Sequence, residues 1–338
     1  MPLTLRRGRV SAILERHEGL VRLEVDGVAC VAYPLLTGPV AMDDDVLVNA
    51  QARELALGSG GFDVVYANLT RGLGLPASSG AHVMKLPYTP LQFAVRHGEE
   101  DVELAERIDA MPVVACSLHS QLVPVCAALR GLRVAYVQMP GGALPIAISD
   151  AVRVLRRDGL LALAIGADAC FGGDVDCVNV HSALAVARAH GCDVAVCALG
   201  PGIVGTGTRL GHGALAALGA ASAALDLGGL PVLALRVSEG DPRDRHRGLS
   251  HHARTTLELA RDGVRAAWPE GGPFEQPAGA EAVNVADWRE ACEALPLEHM
   301  GRGPDDDPWF FAAAFAAGRL ARTLAPARDG SAHTRHVS

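Results

Sequence analysis

The sequence predicts an α/β protein, with a mostly parallel, Rossmann-like sheet covered by helices on both faces and preceded by a small all-β, barrel-like domain. Short β-branched runs fill residues 1–70, and from residue 111 continuous apolar runs alternate with helix-length Ala/Leu/Arg segments. A stretch rich in Gly, Pro and Ser joins the two regions. Apolar strands separated by amphipathic helices are typical of a parallel sheet that is buried on both faces.

The composition narrows the class of protein. Of the 338 residues, 49% are hydrophobic and 20% are charged, which is typical of a folded soluble chain. The net charge is −8 and there is no basic run, so nucleic acid is a disfavoured partner. No apolar stretch approaches the roughly 20 residues of a spanning helix, and the amino terminus lacks the apolar core of a signal peptide. We therefore expect a cytoplasmic protein with no membrane partner.

Residues 1–70 are expected to form the barrel-like domain. Its candidate strands are RGRVSAILE, GLVRLEVD, VACVAY, DVLVN and FDVVYAN. Asp26-Gly27 lies between two of them and is the dipeptide that a tight type I′ turn requires, because both central residues take a positive φ. Such barrels sometimes bind oligonucleotides. The acidic run Asp43–Asp45 and the absence of an aromatic platform favour a structural or homo-oligomerising role instead.

Residues 71–110 are interpreted as a connecting segment with two extended pieces, in which Lys85 (the only lysine) and Tyr88 either line a site or pack against a domain. Residues 111–325 form the α/β domain and residues 326–338 a frayed tail. Asp307 is expected to be the N-cap of the last helix and Pro308 its first residue. The eight cysteines contain no C-x-x-C pair and are expected to be buried free thiols. The candidate strands of the domain are VVAC, RVAYVQM, LLALAIG, DVAVCAL and PVLALRV.

The loops of the α/β domain differ according to their direction. Connections from a helix into a strand are short glycine turns, whereas those from a strand into a helix carry polar and glycine-rich sequence. In an open α/β sheet, ligands bind outside the carboxyl ends of the strands. The sequence therefore predicts a working site along the carboxyl edge of the sheet.

The loop at residues 200–213 contains a G-x-G-x-x-G pattern directly after a strand. Glycine amides and threonine hydroxyls are suited to binding an anion. The helix starts late, near Gly213, and no acidic residue ends the next strand, so a nicotinamide cofactor, NAD(P), is disfavoured. A purely structural glycine turn stays open. The candidate ligand-binding residues of the loop are Gly200, Gly202, Gly205, Thr206, Gly207 and Thr208.

The loop at residues 238–252 carries two Asp, three Arg and three His within a short span. Histidine can act as an acid–base catalyst near pH 7 or bind a metal, and arginine can pair with a substrate anion. Ser250 is a candidate N-cap, which would place two histidines in the first turn of the next helix as neutral rings. A solvated salt-bridge loop is the alternative. The candidate catalytic residues are Asp244, His246, His251 and His252, and the candidate ligand-binding residues are Arg243 and Arg245.

A divalent metal stays open as a cofactor, with Asp174 and Asp241 as its candidate carboxylate ligands. The sequence FGGD and the nearby Asp168 and Asp176 could hold Mg²⁺ on a phosphate, or cap the helix that begins near Asn179. His119 is a further candidate ligand-binding residue. Its neighbour Ser117 is expected to cap a helix, because adjacent residues such as His119 and Ser120 seldom form a nucleophile–base pair.

The motifs also carry a resemblance. Together they resemble an uncharacterised bacterial family, domain of unknown function 3866, over nearly the whole chain. The resemblance implies that the barrel and the sheet are one inherited unit, and it implies no activity, cofactor or catalytic residue. The motifs are RRGRV, VAYPLLTGPV, MKLPYTPLQ, FGGD, GPGIVGTGT, RDRHRGLSHH and MGRGPDDDP.

The leading hypothesis is an enzyme that acts on a small anionic, phosphorylated or nucleotide-like molecule. The glycine loop would hold the anion, and the histidines would handle protons or a metal. Two alternatives stay open: a non-catalytic sensor that binds a similar ligand, and a nucleic-acid-associated protein that uses the barrel.

Overall fold

The amino-terminal strands close into a five-stranded barrel in a computed structural model that describes residues 3–57, 60–75 and 79–326. Alternate residues of each strand point inward, and the barrel core is built mainly from Val, with Leu23, Cys30 and Ala32. The prediction of a barrel-like domain is confirmed. The strands are β1 (Leu5–His17), β2 (Leu20–Val25), β3 (Val28–Ala32), β4 (Asp45–Asn49) and β5 (Asp63–Asn68), with the short helices α1 (Pro34–Thr37) and α2 (Gln51–Glu54) between them.

The turn between β2 and β3 has the backbone that its sequence predicts. Asp26 has a φ of 51° and Gly27 a φ of 76°, so both central residues are in the left-handed region. A glycine at the second position adopts this conformation without steric cost. The connecting segment that follows the barrel contributes the antiparallel pair β6 (Val83–Lys85) and β7 (Phe93–Val95), which are the two predicted extended pieces.

An eight-stranded parallel sheet forms the rest of the protein, in the order β11-β10-β9-β12-β8-β13-β16-β17. All five strands that the sequence predicts are present, and β11, β16 and β17 extend the sheet at its two edges. A small antiparallel pair, β14 and β15, lies outside it. The strands are β8 (Pro112–Cys116), β9 (Val134–Met139), β10 (Leu163–Gly166), β11 (Val175–Asp176), β12 (Val194–Leu199), β13 (Leu230–Ala234), β14 (Val237–Ser238), β15 (Gly248–Leu249), β16 (Arg265–Pro269) and β17 (Glu281–Val283).

Helices cover both faces of this sheet, as the continuous burial of its central strands requires. On β8, Val114 packs into one apolar cluster while Val113 and Ala115 pack into the other. Helices α3, α4, α8 and α9 contribute to the first cluster, and α5, α6 and α7 contribute to the second. The helices are α3 (Leu122–Ala128), α4 (Asp150–Arg157), α5 (Val180–Ala189), α6 (Ala216–Asp226), α7 (His251–Leu259), α8 (Trp288–Ala291) and α9 (Pro308–Leu324).

The position of β12 creates a crevice at the carboxyl edge. Strand β12 lies between β9 and β8. The helices that follow β9 and β8, α4 and α3, cover one face of the sheet, whereas α6, which follows β12, covers the other face. Where adjacent strands are followed by helices on opposite faces, their loops diverge and leave a ligand-sized gap. The loop that opens into this gap is residues 200–213.

Two predicted caps behave differently from expectation. Asp307 occupies the N-cap position of α9, but its carboxylate accepts the hydroxyl of Ser238 at 2.5 Å and the amide of Glu239 at 3.0 Å instead of an amide of the helix. The prediction that Ser117 caps a helix is wrong, because its hydroxyl donates to the side-chain oxygen of Gln121. The Asp307 bonds thereby tie the loop after β14 to the start of α9, whereas the Ser117 bond stays within its own loop.

All eight cysteines are buried free thiols, as predicted. No helix in the described ranges is long and apolar enough to cross a membrane. The predicted frayed tail, residues 326–338, lies outside the described residues from position 327 onward.

Candidate functional site

The two loops that the sequence singles out meet in a single cavity of about 190 Å³ at the carboxyl edge of the sheet. One wall is the glycine loop, residues 200–213, and the other is the segment from the end of β13 to the start of α7. The lining residues are Ile203, Val204, Gly205, Thr206, Gly207, Arg236, Arg243, Arg245, His246, His252 and Met300.

Several glycines of the loop serve close packing. A Cβ atom at Gly200 would overlap the carbonyl oxygen of Ala143, and one at Gly142 would overlap that of Gly200. Gly213 lies equally close to the Gly141 carbonyl. The turn after β9 therefore packs directly on the start and end of the glycine loop, which fixes the base of the loop while its tip projects into solvent.

The tip of the glycine loop is a small hairpin closed by its own threonines. The hydroxyl of Thr206 lies 2.8 Å from that of Thr208 and donates to the carbonyl of Gly211. These hydroxyls therefore hold the loop together, and the ligand-binding role that the sequence suggested for them stays a prediction. The amides of Gly205 and Gly207 line the cavity and donate to no acceptor in the described ranges, so they are available to an anion.

Three arginines converge on the carboxylate of Asp241. Arg236 donates to it at 2.8 Å, Arg243 binds both of its oxygens at 2.9 Å, and Arg302 approaches at 3.4 Å. Burial alone would raise the pKa of Asp241, but the hydrogen bonds and charge of Arg243, with the charge of Arg236, hold this pKa well below its ordinary value. Burial lowers the pKa of Arg236 to about 10.

This arrangement leaves the cavity positively charged. Arg302 also bonds to Asp307, so Arg236, Arg243 and Arg302 share two carboxylates. Arg245 is exposed and has no ionic partner within the described ranges. Guanidinium groups that outnumber their carboxylates around a cavity attract an anion.

Ser250 contacts two histidines, His246 and His252, in the segment from the end of β13 to the start of α7. It is the N-cap of α7, as predicted, and its hydroxyl oxygen accepts the amide of His252 at 3.3 Å. The same hydroxyl lies 2.7 Å from Nδ1 of His246. In the described ranges this hydroxyl has no other acceptor, so it donates to Nδ1, and the proton of the neutral His246 ring therefore lies on Nε2.

Four imidazole rings form a cluster beside the arginines. The rings of His212 and His252 stack with centroids 3.9 Å apart, and the His251 centroid lies 4.3 Å from that of His252 and 4.8 Å from that of His246. Burial lowers the pKa of all four, with the nearby arginines adding to the effect at His246, whose pKa falls to about 3. The rings are therefore neutral at pH 7 and can accept a proton or a metal.

The remaining candidates lie elsewhere or hold other bonds. His119 is enclosed, with Nδ1 3.0 Å from the Leu199 carbonyl and Nε2 2.7 Å from the Ser149 hydroxyl. Asp174 bonds to Arg156 and to the amide of Ala164, and it does not share a ligand cluster with the histidines in the described ranges.

The carboxylates near FGGD belong to a separate part of the edge. Asn179, and not an aspartate, caps α5. The ammonium group of Lys85 donates to the carbonyls of Gly166, Asp168 and Cys177, which ties the β6–β7 pair to the loop after β10. Asp244 is exposed in the loop of residues 238–252.

Sequence reasoning missed five residues of this region. Arg236 follows an apolar strand, and its burial with Asp241 follows from tertiary packing alone. His212 is hidden in the glycine loop, and the sequence signal for it was its single imidazole among glycines. Met300 and Arg302 belong to the motif MGRGPDDDP, whose polar composition was the available signal, and the buried His299 directly precedes this motif.

A larger cleft of about 930 Å³ lies between the barrel and the sheet. Its walls are mostly apolar and include Tyr33 and Phe62 of the barrel side and Phe171 of the sheet side. It reaches the same glycine loop, since Val204 lines both spaces. The ion pair of Arg22 with Asp150, at 2.9 Å, joins the two domains at the edge of this cleft.

Comparison with known proteins gives one family match. The model of a family described as "Protein of unknown function (DUF3866)" matches residues 29–318, from β3 into α9. No curated protein matches the chain.

Proposed function

The chain belongs to the DUF3866 family, for which no activity is established, and we propose that it is an enzyme acting on a small anionic molecule, phosphorylated or nucleotide-like, at the carboxyl edge of its sheet. The observation that carries this proposal is the convergence of unpaired positive charge, free glycine amides and neutral histidines on one cavity. Neutral buried histidines beside a cluster of arginines are typical of functional sites, and the exposed amides and Arg245 complete the same cavity.

Each group has a role in this proposal. Arg245 and the outer face of Arg243 pair with the anion, and the amides of Gly205 and Gly207 donate to it. His246 presents an Nε2 proton to the bound molecule, and the neutral ring of His252 lies beside it with the two ring centroids 5.0 Å apart. His251 supports the cluster. Asp241 keeps the arginines in place.

The size of the cavity limits what it holds. At about 190 Å³ it is smaller than the roughly 300 Å³ at which typical ligand pockets begin. It therefore suits the anionic group alone, and the rest of the molecule would extend past Val204 toward the apolar cleft.

Calorimetric titration tests the anion site. Inorganic phosphate, pyrophosphate and a nucleoside diphosphate are titrated into the protein and into Arg245→Gln. We expect binding by the native chain and about tenfold weaker binding by the variant, since a hydrogen bond to a charged group contributes about 1.5 kcal/mol or more. Arg9→Gln, an exposed arginine of β1, is the matched control and should bind like the native chain. Failure of all three compounds to bind would contradict the proposal.

A ligand-binding sensor is the second candidate, favoured by the cleft that touches both the barrel and the glycine loop. The two candidates differ in turnover. If His252→Ala retains ligand affinity but loses a turnover measured for the native chain, the enzyme is supported. If the native chain binds the ligand without converting it, and the ligand changes protease cleavage of the barrel, the sensor is supported.

A further inference from the structure

We infer that His212, His251 and His252 form a binding site for one divalent transition metal, with Zn²⁺ the best match, next to the anion cavity. The three side chains come from two separate elements, the end of the glycine loop and the first turn of α7. One ring nitrogen from each lies within 4.8 Å of the other two. The inference extends the proposed function, but it rests on these three rings and not on the identity of the anion.

Unpartnered nitrogens are the main evidence. Nδ1 of His212, Nε2 of His251 and Nδ1 of His252 are all buried and have no hydrogen-bond partner. A buried polar atom without a partner costs about 1–3 kcal/mol, so three in one cluster call for a common explanation. A metal ion would satisfy all three at once.

A hydrogen bond from the His212 ring to the backbone leaves its other nitrogen free to bind a metal. Its Nε2 lies 2.9 Å from the carbonyl oxygen of Arg209. A carbonyl only accepts, so Nε2 carries the proton and Nδ1 keeps its lone pair on the side of the cluster. A backbone carbonyl bonded to the second nitrogen is the arrangement common to metal-binding histidines.

The donor set selects the metal. Three imidazoles with no carboxylate in the cluster suit Zn²⁺, Co²⁺, Ni²⁺ or Cu²⁺ and do not suit Mg²⁺ or Ca²⁺, which prefer oxygen ligands. Three histidines with a fourth, open position are the pattern of catalytic zinc sites. His252 and His246 both line the anion cavity, so the open position would face the bound anion or a water molecule.

Coordination requires a small rearrangement. The rings of His212 and His252 are stacked, with 21° between their planes, and stacked rings direct their in-plane lone pairs nearly parallel. Zinc–nitrogen bonds of about 2.0–2.1 Å require the lone pairs to converge. We therefore expect the segment from Arg209 to His212 to shift as a unit on binding, so that the His212 ring tilts with its bond to Arg209 intact, which the exposed tip of the glycine loop allows.

His246 is not part of the ligand set, because the cluster whose ring nitrogens lie within 4.8 Å of one another consists of His212, His251 and His252. Its Nδ1 accepts from Ser250, and its Nε2 carries the proton. It can instead donate to whatever occupies the fourth position of the metal.

Metal titration of the tag-free protein tests the site. Zn²⁺ is added to chelator-treated protein in competition with a chromophoric chelator, and Co²⁺ is added in a parallel experiment followed by visible absorption. We expect one Zn²⁺ per chain and a tetrahedral Co²⁺ spectrum. His212→Gln should weaken Zn²⁺ binding by at least about 100-fold, the upper end of what losing even a supporting residue costs.

His181→Gln is the matched control, because His181 is an exposed histidine of α5 outside the cluster. It should bind Zn²⁺ like the native chain. Absence of stoichiometric Zn²⁺ binding, or binding that His212→Gln leaves unchanged, would overturn the inference. The native Co²⁺ spectrum does not depend on whether a variant folds.

The two proposals fail in different ways. If metal-free protein binds phosphate but no Zn²⁺, the metal inference is wrong and the anion site stands. If Zn²⁺ binds at this cluster but none of the phosphate compounds does, the metal site stands and the proposed function is wrong.

Discussion

The Nε2 atom of His119 lies 2.7 Å from the hydroxyl of Ser149, just as Nδ1 of His246 lies 2.7 Å from the hydroxyl of Ser250. Both serines are N-caps that accept a helix amide, of α4 and α7 respectively. One hydroxyl thus starts a helix and sets a histidine tautomer. The first pair is enclosed beside the sheet, and the second faces the cavity.

This parallel gives a matched pair of variants. Ser149→Ala and Ser250→Ala each remove an N-cap, which costs about 1 kcal/mol of unfolding free energy. Urea denaturation should show both losses. Only Ser250→Ala should also weaken the binding of pyrophosphate, because only its histidine lines the cavity. Equal affinity in the two variants would mean that the position of His246 does not matter to the ligand.

His119 predicts a dependence of stability on pH. Burial lowers its pKa to about 4 in the folded chain, against about 6.5 when unfolded. Between these values the unfolded chain binds more protons, so the ring contributes stability above pH 6.5 that is lost as the pH falls toward 4. Its contribution changes by about 1.4 kcal/mol per pH unit at most.

Urea unfolding between pH 7 and pH 4 measures this effect. His119→Gln should be less stable at pH 7, and its stability should fall less steeply with pH than that of the native chain. The exposed His181→Gln serves as the control and should follow the native slope. If His119→Gln also follows the native slope, His119 is not the buried neutral group that loses stability in acid.

The sequence predicts the layout better than the contacts. Period and composition locate the barrel and five sheet strands, because these depend on local burial patterns. They miss β11 and β17, the short strands at the two edges of the sheet, and β16 next to β17, where Arg265 and Glu281 form an ion pair. Edge strands are less apolar, so their signal is weaker.

The site was predictable in position and not in detail. Strand-to-helix loops must meet at the carboxyl edge, so His246, His251 and His252 were visible as candidates. The pairing of Arg302 with Asp241 and the stacking of His212 on His252 depend on how distant segments close on each other. No pattern within either segment encodes that closure.

The glycine loop provides a further stability prediction. Gly200→Ala forces a Cβ onto the Ala143 carbonyl, and overpacking of this kind costs about 1–3 kcal/mol. Gly207→Ala is the control, since a Cβ there meets nothing within 4 Å and its φ is not positive. Thermal unfolding should show a lower midpoint for Gly200→Ala only. A loss of similar size in both variants would show that the loop tip is as tightly packed as its base.

Substitution of Asp241 tests whether its carboxylate holds Arg236 and Arg243 in place or binds a metal. Its carboxylate accepts from Arg236 and Arg243, and Arg236 is buried, so Asp241→Asn leaves a buried positive charge without its partner. Breaking such a pair costs about 3–5 kcal/mol. Bound phosphate should restore part of this stability, because an anion in the cavity replaces the lost charge.

The exposed Asp244→Asn, three residues further along the same loop, is the matched control and should change unfolding by no more than about 0.5 kcal/mol. Zinc stoichiometry completes the comparison, since the three histidines do not include Asp241. We expect Asp241→Asn, measured at a temperature where it stays folded, to bind one Zn²⁺ as the native chain does. If Asp241→Asn binds no Zn²⁺ and phosphate does not raise its unfolding free energy, then Asp241 is a metal ligand and does not hold the arginines in place.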